Sequence, residues 1–287
     1  MAKGKYINKR KGAERPKLKL YSPEEVAPQK STVLLYGLPA SGKSTFASTY
    51  PGPYYVVPSM AANEIRAIYD MGFKDNVVVF STMEDLLDQV QALVTAIQAG
   101  ELPDCHTVIF DNLTAAQMVV EESLLKMAGK ERMEHNEWSA FTAIWKRLVN
   151  VLHDLPINVI WVAHSKIKDV APQGSATPAI EESFSLMGGA RNFVPGQADL
   201  MLYAESRSMG KNNNNEFRIW LRSTGLYPAR VRGNLQKVKK LPPYIGGLNK
   251  EGQLIDPHYD QLASLFGWSS QAEVEGVEEQ PKETDDE

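Results

Sequence analysis

The sequence predicts an α/β fold with a mainly parallel central sheet that is covered by helices on both faces. Short apolar runs rich in β-branched residues alternate along the chain with stretches whose apolar residues recur at helical spacing. One apolar run enters a glycine-rich loop and a helical stretch leaves it, as in the strand–loop–helix units of parallel sheets. This alternation is typical of strands that are buried on both faces.

The first part of the sheet follows from local patterns. Five strands are predicted from short apolar runs: "STVLLYG", "PYYVV", "NVVVF", "HTVIFDNLT" and "INVIWVAHSK". Four helices are predicted between them: "KSTFASTY", "STMEDLLDQVQALVTAIQAG", "AAQMVVEESLLKMAG" and "NEWSAFTAIWKRLVNVLHDL". The second of these helices begins at a Ser/Thr cap and ends at a glycine, the residues that favour helix starts and stops.

The pattern changes after Lys168. The stretch "DVAPQGSATPAIEESFSLMGGARNFVPGQ" is rich in Gly, Pro, Ser and Ala and has no periodicity, so we expect a long mobile loop. Beyond it, "ADLMLYAES" and "EFRIWLRS" flank the polar segment "RSMGKNNNN". This arrangement predicts two antiparallel strands joined by a flexible turn.

The charge distribution sets off a basic arm (1–30) and an acidic tail (271–287), and between them we expect a core (31–245) and a C-terminal extension (246–270). The arm carries nine Lys/Arg against three Glu, and the tail carries eight Asp/Glu against one Lys. Both contain few large apolar residues, so we expect both to be disordered and solvated. The alternative is that the arm contacts nucleic acid and the tail competes with it.

Composition also excludes several classes of protein. No apolar run reaches the roughly 20 residues of a membrane-spanning helix, and the basic start has no apolar segment typical of a signal peptide. Cys105 is the single cysteine of the sequence, which excludes an internal disulfide and fits a reducing compartment. We therefore expect a cytoplasmic protein that does not contact membranes.

The stretch "YGLPASGKSTF" contains the complete phosphate-loop pattern G-x-x-x-x-G-K-[ST]. Small residues allow backbone N–H groups to approach phosphate oxygens, and the start of the following helix attracts anions. We expect Lys43 to reach the β and γ phosphates and Ser44 to ligate Mg²⁺, with ATP as the nucleotide. The predicted nucleotide-binding residues are Gly37, Leu38, Pro39, Ala40, Ser41, Gly42, Lys43, Ser44 and Thr45.

Two strand ends bring further polar residues to the same edge of the predicted sheet. Asp111 ends the run "TVIFD" and is predicted to hold Mg²⁺ with Ser44; the alternative is that it caps the next turn. Asn112 follows it, which argues against the ATPase class whose catalytic base directly follows this Asp. His164 ends "VIWVAH" and is predicted to sense the γ phosphate, although a purely structural histidine is the open alternative. Lys43, Asp111 and His164 are thus the candidate catalytic residues.

Residues 207–240 carry nine Lys/Arg against one Glu, in a protein with a net charge of -4. This excess predicts a phosphate-binding surface, and interleaved aromatic residues such as Trp220 and Tyr244 are able to stack on bases. Alternatively, the aromatic residues belong to the core and the basic residues are solvated or reach ATP on a neighbouring subunit. The candidate DNA-binding residues are Arg218, Arg222, Arg230, Arg232, Lys237, Lys239 and Lys240.

Taken together, the phosphate loop, "TVIFDNLT", "NVIWVAHSK" and "VPGQADLMLYAE" resemble the ATPase core of the RecA superfamily, over roughly residues 30–245. The resemblance is greatest to the compact RecA-like proteins of bacteriophages, which combine this core with single-stranded DNA binding and strand annealing. It implies a DNA-stimulated ATPase of recombination that forms a ring or filament in the host cytoplasm. A single-strand binding protein or another replication protein is the implied partner.

The resemblance also implies a water-activating carboxylate at the end of the strand after the phosphate-loop helix. Here that strand is followed by Ser59 and Met60, and the nearest acid is Glu64. We therefore expect slow hydrolysis without DNA, and a role for Glu64 only where a helix after Met60 brings it to the γ phosphate.

Two other functions compete with this interpretation. One is a phosphate-loop protein that uses ATP as a switch to recruit a replication or packaging partner, such as a helicase loader or a motor subunit. The other is a small-molecule kinase, which is disfavoured because no Arg-rich lid follows the last core strand.

Overall fold

The computed structural model describes residues 30–170, 179–209, 215–233 and 235–269. Within these ranges the strands form one eleven-stranded sheet, most of whose central strands are parallel, with helices on both faces. The predicted fold class is therefore confirmed. The predicted basic arm, apart from its last residue, and the acidic tail lie outside the described residues.

The elements alternate along the chain as the sequence predicts for its first part. The strands are β1 (Thr32–Gly37), β2 (Pro53–Pro58), β3 (Val77–Phe80), β4 (Thr107–Phe110), β5 (Asn158–Val170), β6 (Ala179–Phe184), β7 (Leu200–Ser208), β8 (Asn215–Trp220), β9 (Arg230–Val231), β10 (Tyr244–Leu248) and β11 (Leu254–Ile255). The helices are α1 (Lys43–Ala47), α2 (Ala62–Asp70), α3 (Met83–Gln98), α4 (Leu113–Ala128), α5 (His135–His153), α6 (Ala190–Gln197), α7 (Leu235–Lys240) and α8 (Tyr259–Phe266).

The strand order is β11-β10-β8-β7-β1-β5-β4-β2-β3. The strands from β7 to β3 in this order pair in parallel, whereas β8, β10 and β11 add antiparallel pairs beyond β7. In addition, β6 pairs with β5 and β9 pairs with β7. The predicted antiparallel pair β7–β8 is confirmed, and its turn, residues 210–214, lies outside the described residues.

The central strand β1 positions the phosphate loop. All six of its residues are buried, because it pairs with β5 on one side and β7 on the other. Its last residue, Gly37, lies beside His164 of β5 and Ala204 of β7. The carboxyl ends of parallel strands form the usual ligand-binding edge of such a sheet. The loop therefore starts at this edge, with β5 between it and the end of β4.

Each face of the sheet has its own hydrophobic core. One core lies under α3, α4, α5 and α6, and the other lies under α1, α2 and α8. Helix α8 belongs to the predicted C-terminal extension, yet the ring of Tyr259 lies 4.6 Å from that of Tyr50, just after α1. Strand β10 also crosses residue 245, the predicted boundary between the core and the extension. The extension thus completes the core that carries the phosphate loop.

The prediction of a long loop after Lys168 is wrong for the residues that the structure describes. Strand β5 continues to Val170 and pairs with β6 in an antiparallel hairpin, which α6 follows; residues 171–178 lie outside the described ranges. Leu186 and Val194 anchor this segment in the core, with 2% and 0% of their surface exposed. Local propensity is weak here, and tertiary contacts supply the regular structure instead.

We predict that Gly52→Ala destabilises the protein far more than Gly100→Ala. Both glycines have positive φ, +46° and +72°, which costs an L residue roughly 1–2 kcal/mol. A Cβ at Gly52 would also lie 1.9 Å from the backbone oxygen of Asp104, whereas nothing lies within 4 Å at Gly100. Urea denaturation should show a loss of about 3 kcal/mol or more for Gly52→Ala. Equal losses for the two variants would contradict the close approach between Gly52 and the backbone of Asp104, just before β4.

Candidate nucleotide-binding site

The phosphate loop is shaped by two residues in the left-handed region. Ala40 has φ 60° and Gly42 has φ 82°. Left-handed residues in a loop turn successive backbone N–H groups toward one concave face, where they bind anions. At Gly37 and Gly42 there is little room for a side chain: a Cβ would lie 2.3 Å from the oxygen of Ala204 and 3.0 Å from the Phe217 ring. Close backbone packing therefore requires a glycine at position 37, whereas the left-handed backbone favours one at position 42.

Lys43 lies folded against its own loop. Its Nζ donates to the backbone oxygens of Gly37 (3.1 Å) and Leu38 (2.6 Å) and to Ser41 Oγ (3.3 Å). Burial lowers the pKa of this amine to about 8, and the negative charge of Asp111 opposes the shift. An incoming phosphate offers stronger, charge-assisted hydrogen bonds than these neutral oxygens.

Asp111 is adjacent to the loop, as predicted. Ser44 Oγ donates to its Oδ2 at 2.5 Å, and the carboxylate is almost fully buried. Burial raises the pKa of Asp111 to about 6, while the Ser44 bond and the charge of Lys43 lower it. The following helix is capped by Asn112, whose Oδ1 accepts from the N–H of Ala115 at 2.7 Å. Asp111 is therefore not needed as a cap and keeps its oxygens for another partner.

Ser44 and Asp111 suit a magnesium ion that is shared with phosphates. Mg²⁺ prefers oxygen ligands, and in nucleotide sites it takes only one or two from the protein, adding phosphate oxygens and water. The described residues contain no cluster of three or more His, Cys, Asp or Glu side chains that would hold a metal alone. The hydroxyl and carboxylate present thus fit Mg²⁺ delivered with ATP.

His164 lies at the same sheet edge. Burial lowers its pKa, and the nearby positive charge of Lys43 lowers it further, so the neutral imidazole is favoured. Its backbone is held from two sides: its N–H donates to Thr114 Oγ1 (3.0 Å), and its carbonyl accepts from the N–H of Ser185 (2.7 Å). The histidine is therefore tied directly to the residue that follows β6.

Glu64 forms the opposite wall of the cleft. Helix α2 places it in a cavity of about 290 Å³ together with the phosphate loop, Asp111 and His164. Its Oε1 accepts from Asn112 Nδ2 at 3.0 Å and lies 3.9 Å from His164 Nε2. From the sequence, Glu64 is the nearest acid, with a role only where a helix after Met60 brings it to the γ phosphate; α2 is a helix at that position. The helical spacing of Ile65 and Ile68 was the signal available for that helix.

Two of the predicted DNA-binding arginines, Arg218 and Arg222, hold neighbouring parts of the antiparallel sheet. Arg218 donates to Glu216 at 2.6 Å and lies over the ring of Tyr244, 4.4 Å from its centroid. Arg222 donates to the backbone oxygens of Val238, Lys239 and Leu241, with the bond to Lys239 at 2.6 Å. These contacts brace the antiparallel part of the sheet.

The charge excess of residues 207–240 is partly cancelled across strands. Arg207 pairs with Glu205 at 3.0 Å and lies opposite Glu216 in the β7–β8 register. Glu205, just outside the counted segment, lies opposite Arg218. Two arginines and two glutamates thus form a neutral patch on these strands. A count of charges along the sequence cannot detect this neutralisation.

The other candidate DNA-binding residues lie on β9, directly after it, and on α7, and none of them lines the nucleotide cleft. Arg230, Arg232, Lys239 and Lys240 are exposed, and the two arginines donate to the backbone oxygens of Pro195 and Gly196 near the end of α6. Lys237 lies on α7, but its side chain is outside what the structure describes. Of the interleaved aromatic residues, Tyr227 is buried and stacks on Tyr203 with ring centroids 4.0 Å apart.

A protein-family model matches most of the chain, including the phosphate loop. Residues 29–232 match the AAA domain family. Among solved structures, a KaiC-like protein from the hyperthermophilic archaeon Pyrococcus horikoshii OT3 is similar, with 16% identity and a TM-score of 0.43. The match covers 82% of this chain and 93% of that one. No curated protein matches the sequence. The described part of the chain contains no helix that is long and apolar enough to span a membrane.

We predict that Asp111→Asn stabilises the nucleotide-free protein at pH 8. The pKa of about 6 lies above the usual 3.8, so the folded state binds more protons than the unfolded state between these values. Asp111 therefore lowers the stability of the wild-type protein progressively as the pH rises from 3.8 to about 6. The free energy of unfolding of Asp111→Asn should exceed that of the wild type by on the order of 2 kcal/mol at pH 8, and by less toward pH 4.

Urea denaturation at the two pH values measures this difference. The matched control is Asp75→Asn, which neutralises an exposed carboxylate and should change stability little at either pH. If Asp111→Asn is less stable than the wild type at pH 8, burial of the Asp111 charge is not destabilising.

Proposed function

Because the chain belongs to the AAA domain family, we propose that it binds Mg²⁺–ATP in this cleft and hydrolyses it, and that hydrolysis is coupled to binding of single-stranded DNA. One observation carries the nucleotide part of the proposal. Lys43 and Ser44 of α1, Asp111 after β4, Glu64 of α2 and His164 of β5 converge from four elements on one cavity. Three of these residues, Lys43, Asp111 and His164, have shifted pKa values. Convergent polar groups of this kind in one cleft are characteristic of functional sites.

In the binding step, the phosphates replace internal partners of the loop. Lys43 exchanges the loop oxygens for the β and γ phosphates, and the N–H groups around Ala40 and Gly42 bind the remaining phosphate oxygens. Ser44 and Asp111 would hold Mg²⁺, which would supply positive charge against the phosphates. Asp111 would then be held in its ionised form, against the effect of its burial.

In the hydrolytic step, Glu64 is the proposed general base. It accepts a proton from water while the water oxygen attacks the γ phosphorus, and the bond from this phosphorus to the bridging oxygen breaks to release ADP. The Glu64 side chain is 28% exposed, so water reaches it, and it lines the same cavity as the phosphate loop. His164, which lies beside Gly37, is proposed to respond to the γ phosphate.

We predict that two substitutions separate binding from hydrolysis. Lys43→Ala should weaken ATP binding roughly tenfold or more, because it removes the positive charge on the phosphates. Glu64→Gln should keep the affinity and lower turnover by about 10²–10⁴, the usual contribution of a general base. Binding of a fluorescent ATP analogue and phosphate release measure the two effects.

The exposed Glu122 supplies the control for this pair, since Glu122→Gln removes a carboxylate on α4 away from the cleft. Undiminished ATP affinity in Lys43→Ala would overturn the loop assignment. Wild-type turnover in Glu64→Gln would show that the base lies elsewhere.

The proposed DNA surface consists of Arg230, Arg232, Lys239 and Lys240. None of the four forms an ion pair with a carboxylate among the described residues, in contrast to Arg207 and Arg218. Exposed, unneutralised cations are the groups that attract nucleic-acid phosphates. The arginines also hold the end of α6, and the segment between β6 and α6 is bonded to His164. This chain of contacts supports a link between the nucleotide and the surface.

We predict that Arg230→Glu with Lys239→Glu strongly weakens binding of single-stranded DNA. The matched control is Lys74→Glu with Lys126→Glu, which changes net charge equally at exposed positions on other elements. Fluorescence anisotropy over a salt series should give a log–log slope of about -0.7 per phosphate contact in the wild type, and a shallower slope in the first variant only. Loss should occur with every DNA sequence, because phosphate contacts do not read bases.

The same assay tests the role proposed for the acidic tail. A protein that ends at Ser270 should bind DNA more tightly, most of all at low salt, because the tail repels DNA or occupies the basic surface. Failure of both proteins to bind DNA in every condition would overturn the DNA proposal. Recruitment of a replication or packaging partner would then be the better account. Assembly into a ring or filament stays a prediction.

A further inference from the structure

The side chain of Asn112 is fully used in hydrogen bonds at the back of the cleft. It is 2% exposed. Its Oδ1 accepts from the N–H of Ala115 at 2.7 Å, and its Nδ2 lies 3.0 Å from Glu64 Oε1 and 3.1 Å from His164 Nε2. One amide therefore joins the start of α4, a residue of α2 and a residue of β5.

The orientation of this amide is fixed by its neighbours. The N–H of Ala115 requires an acceptor, so the Asn112 oxygen must face it, and the Glu64 carboxylate requires a donor, so the nitrogen must face Glu64. The two hydrogens of Nδ2 then serve Glu64 and His164, and Nε2 of the imidazole acts as the acceptor. A reversed amide would place oxygen against carboxylate and nitrogen against N–H.

Glu64 needs such support because its helix is weakly anchored. Within α2 only Ile68 is buried, and most of the other residues are exposed to solvent. Packing alone therefore leaves the position of the Glu64 carboxylate loosely defined. The bond from Asn112 occupies Oε1 and holds it 3.9 Å from His164 Nε2.

We propose that Asn112 is a positioning residue that holds Glu64 for hydrolysis and links it to His164. This inference rests on the proposed ATPase function and assigns a partner to its general base. With Oε1 engaged by the amide, Oε2 is the oxygen left to accept the proton from water. Since a displacement of about 1 Å can cost a factor of 10² in rate, a bond that fixes this carboxylate has a direct effect on turnover.

This role also explains why an amide, and not an acid, follows Asp111. A carboxylate at position 112 would lie within hydrogen-bonding distance of Glu64 and next in sequence to Asp111. Like charges so close disfavour ionisation of at least one of the groups. An uncharged donor orients the base without adding a third negative charge beside the metal ligand.

The test compares two replacements that keep the acceptor at the start of α4. Asn112→Ser and Asn112→Asp both retain an oxygen that caps a helix, and both lose the amide donors to Glu64 and His164. We expect turnover to fall about 10- to 100-fold in each, with the Kd for the ATP analogue changed less than about threefold. Thr82→Ala removes the cap of α3 at a residue that does not line the cleft, and it should lower stability without lowering turnover.

A double-mutant cycle with Glu64→Gln shows whether Asn112 acts through Glu64. In the Glu64→Gln background, Asn112→Ser should have little further effect on turnover, because the base that it positions is already absent. Fully multiplicative effects in the cycle, or wild-type turnover in Asn112→Ser, would overturn this inference and leave the proposed function intact. Absence of turnover in the wild-type protein, with and without DNA, would overturn the proposed function itself and the inference that rests on it.

Discussion

The pairing of β1 between β5 and β7 is the constraint on which the site depends. A strand that is hydrogen-bonded on both edges and packed on both faces cannot shift by one residue without turning its side chains to the wrong core. Gly37 is therefore fixed beside His164, and the loop that follows is fixed beside Asp111, one strand further along the sheet. The register of buried backbone thus sets the distances between polar groups in the cleft.

The polar groups of the cleft bind one another. Lys43 is held by loop oxygens, Ser44 binds Asp111, and Asn112 binds Glu64 and His164. Burial nonetheless shifts the pKa of Lys43 down and that of Asp111 up, so both charged forms are disfavoured. In the proposed complex, phosphate would add a negative charge beside Lys43, and magnesium would add a positive charge beside Asp111.

Short sequence patterns predicted those parts of the protein that neighbouring residues specify. The phosphate loop, the strands around it, Asp111 and His164 were accessible because glycine spacing and apolar runs specify them within a few residues. The hairpin β5–β6 and helix α6 were not, because their regular structure depends on contacts with distant segments. Glu64 and Asn112 meet only after folding, and the neutralisation of Arg218 by Glu216 and Glu205 depends on strand pairing. The sequence therefore predicted the residues of the cleft more completely than the contacts of the basic residues.

The contact between Phe217 and the phosphate loop has a consequence for how the fold can change in evolution. A Cβ at Gly42 would lie 3.0 Å from the Phe217 ring, so the antiparallel half of the sheet forms one wall of the loop. That half is not an accessory module that recombination could exchange for another without disturbing ATP binding. A side chain at position 42 would require the Phe217 ring to shift or a smaller residue to replace it. The phosphate loop and β8 should therefore have been inherited as a unit.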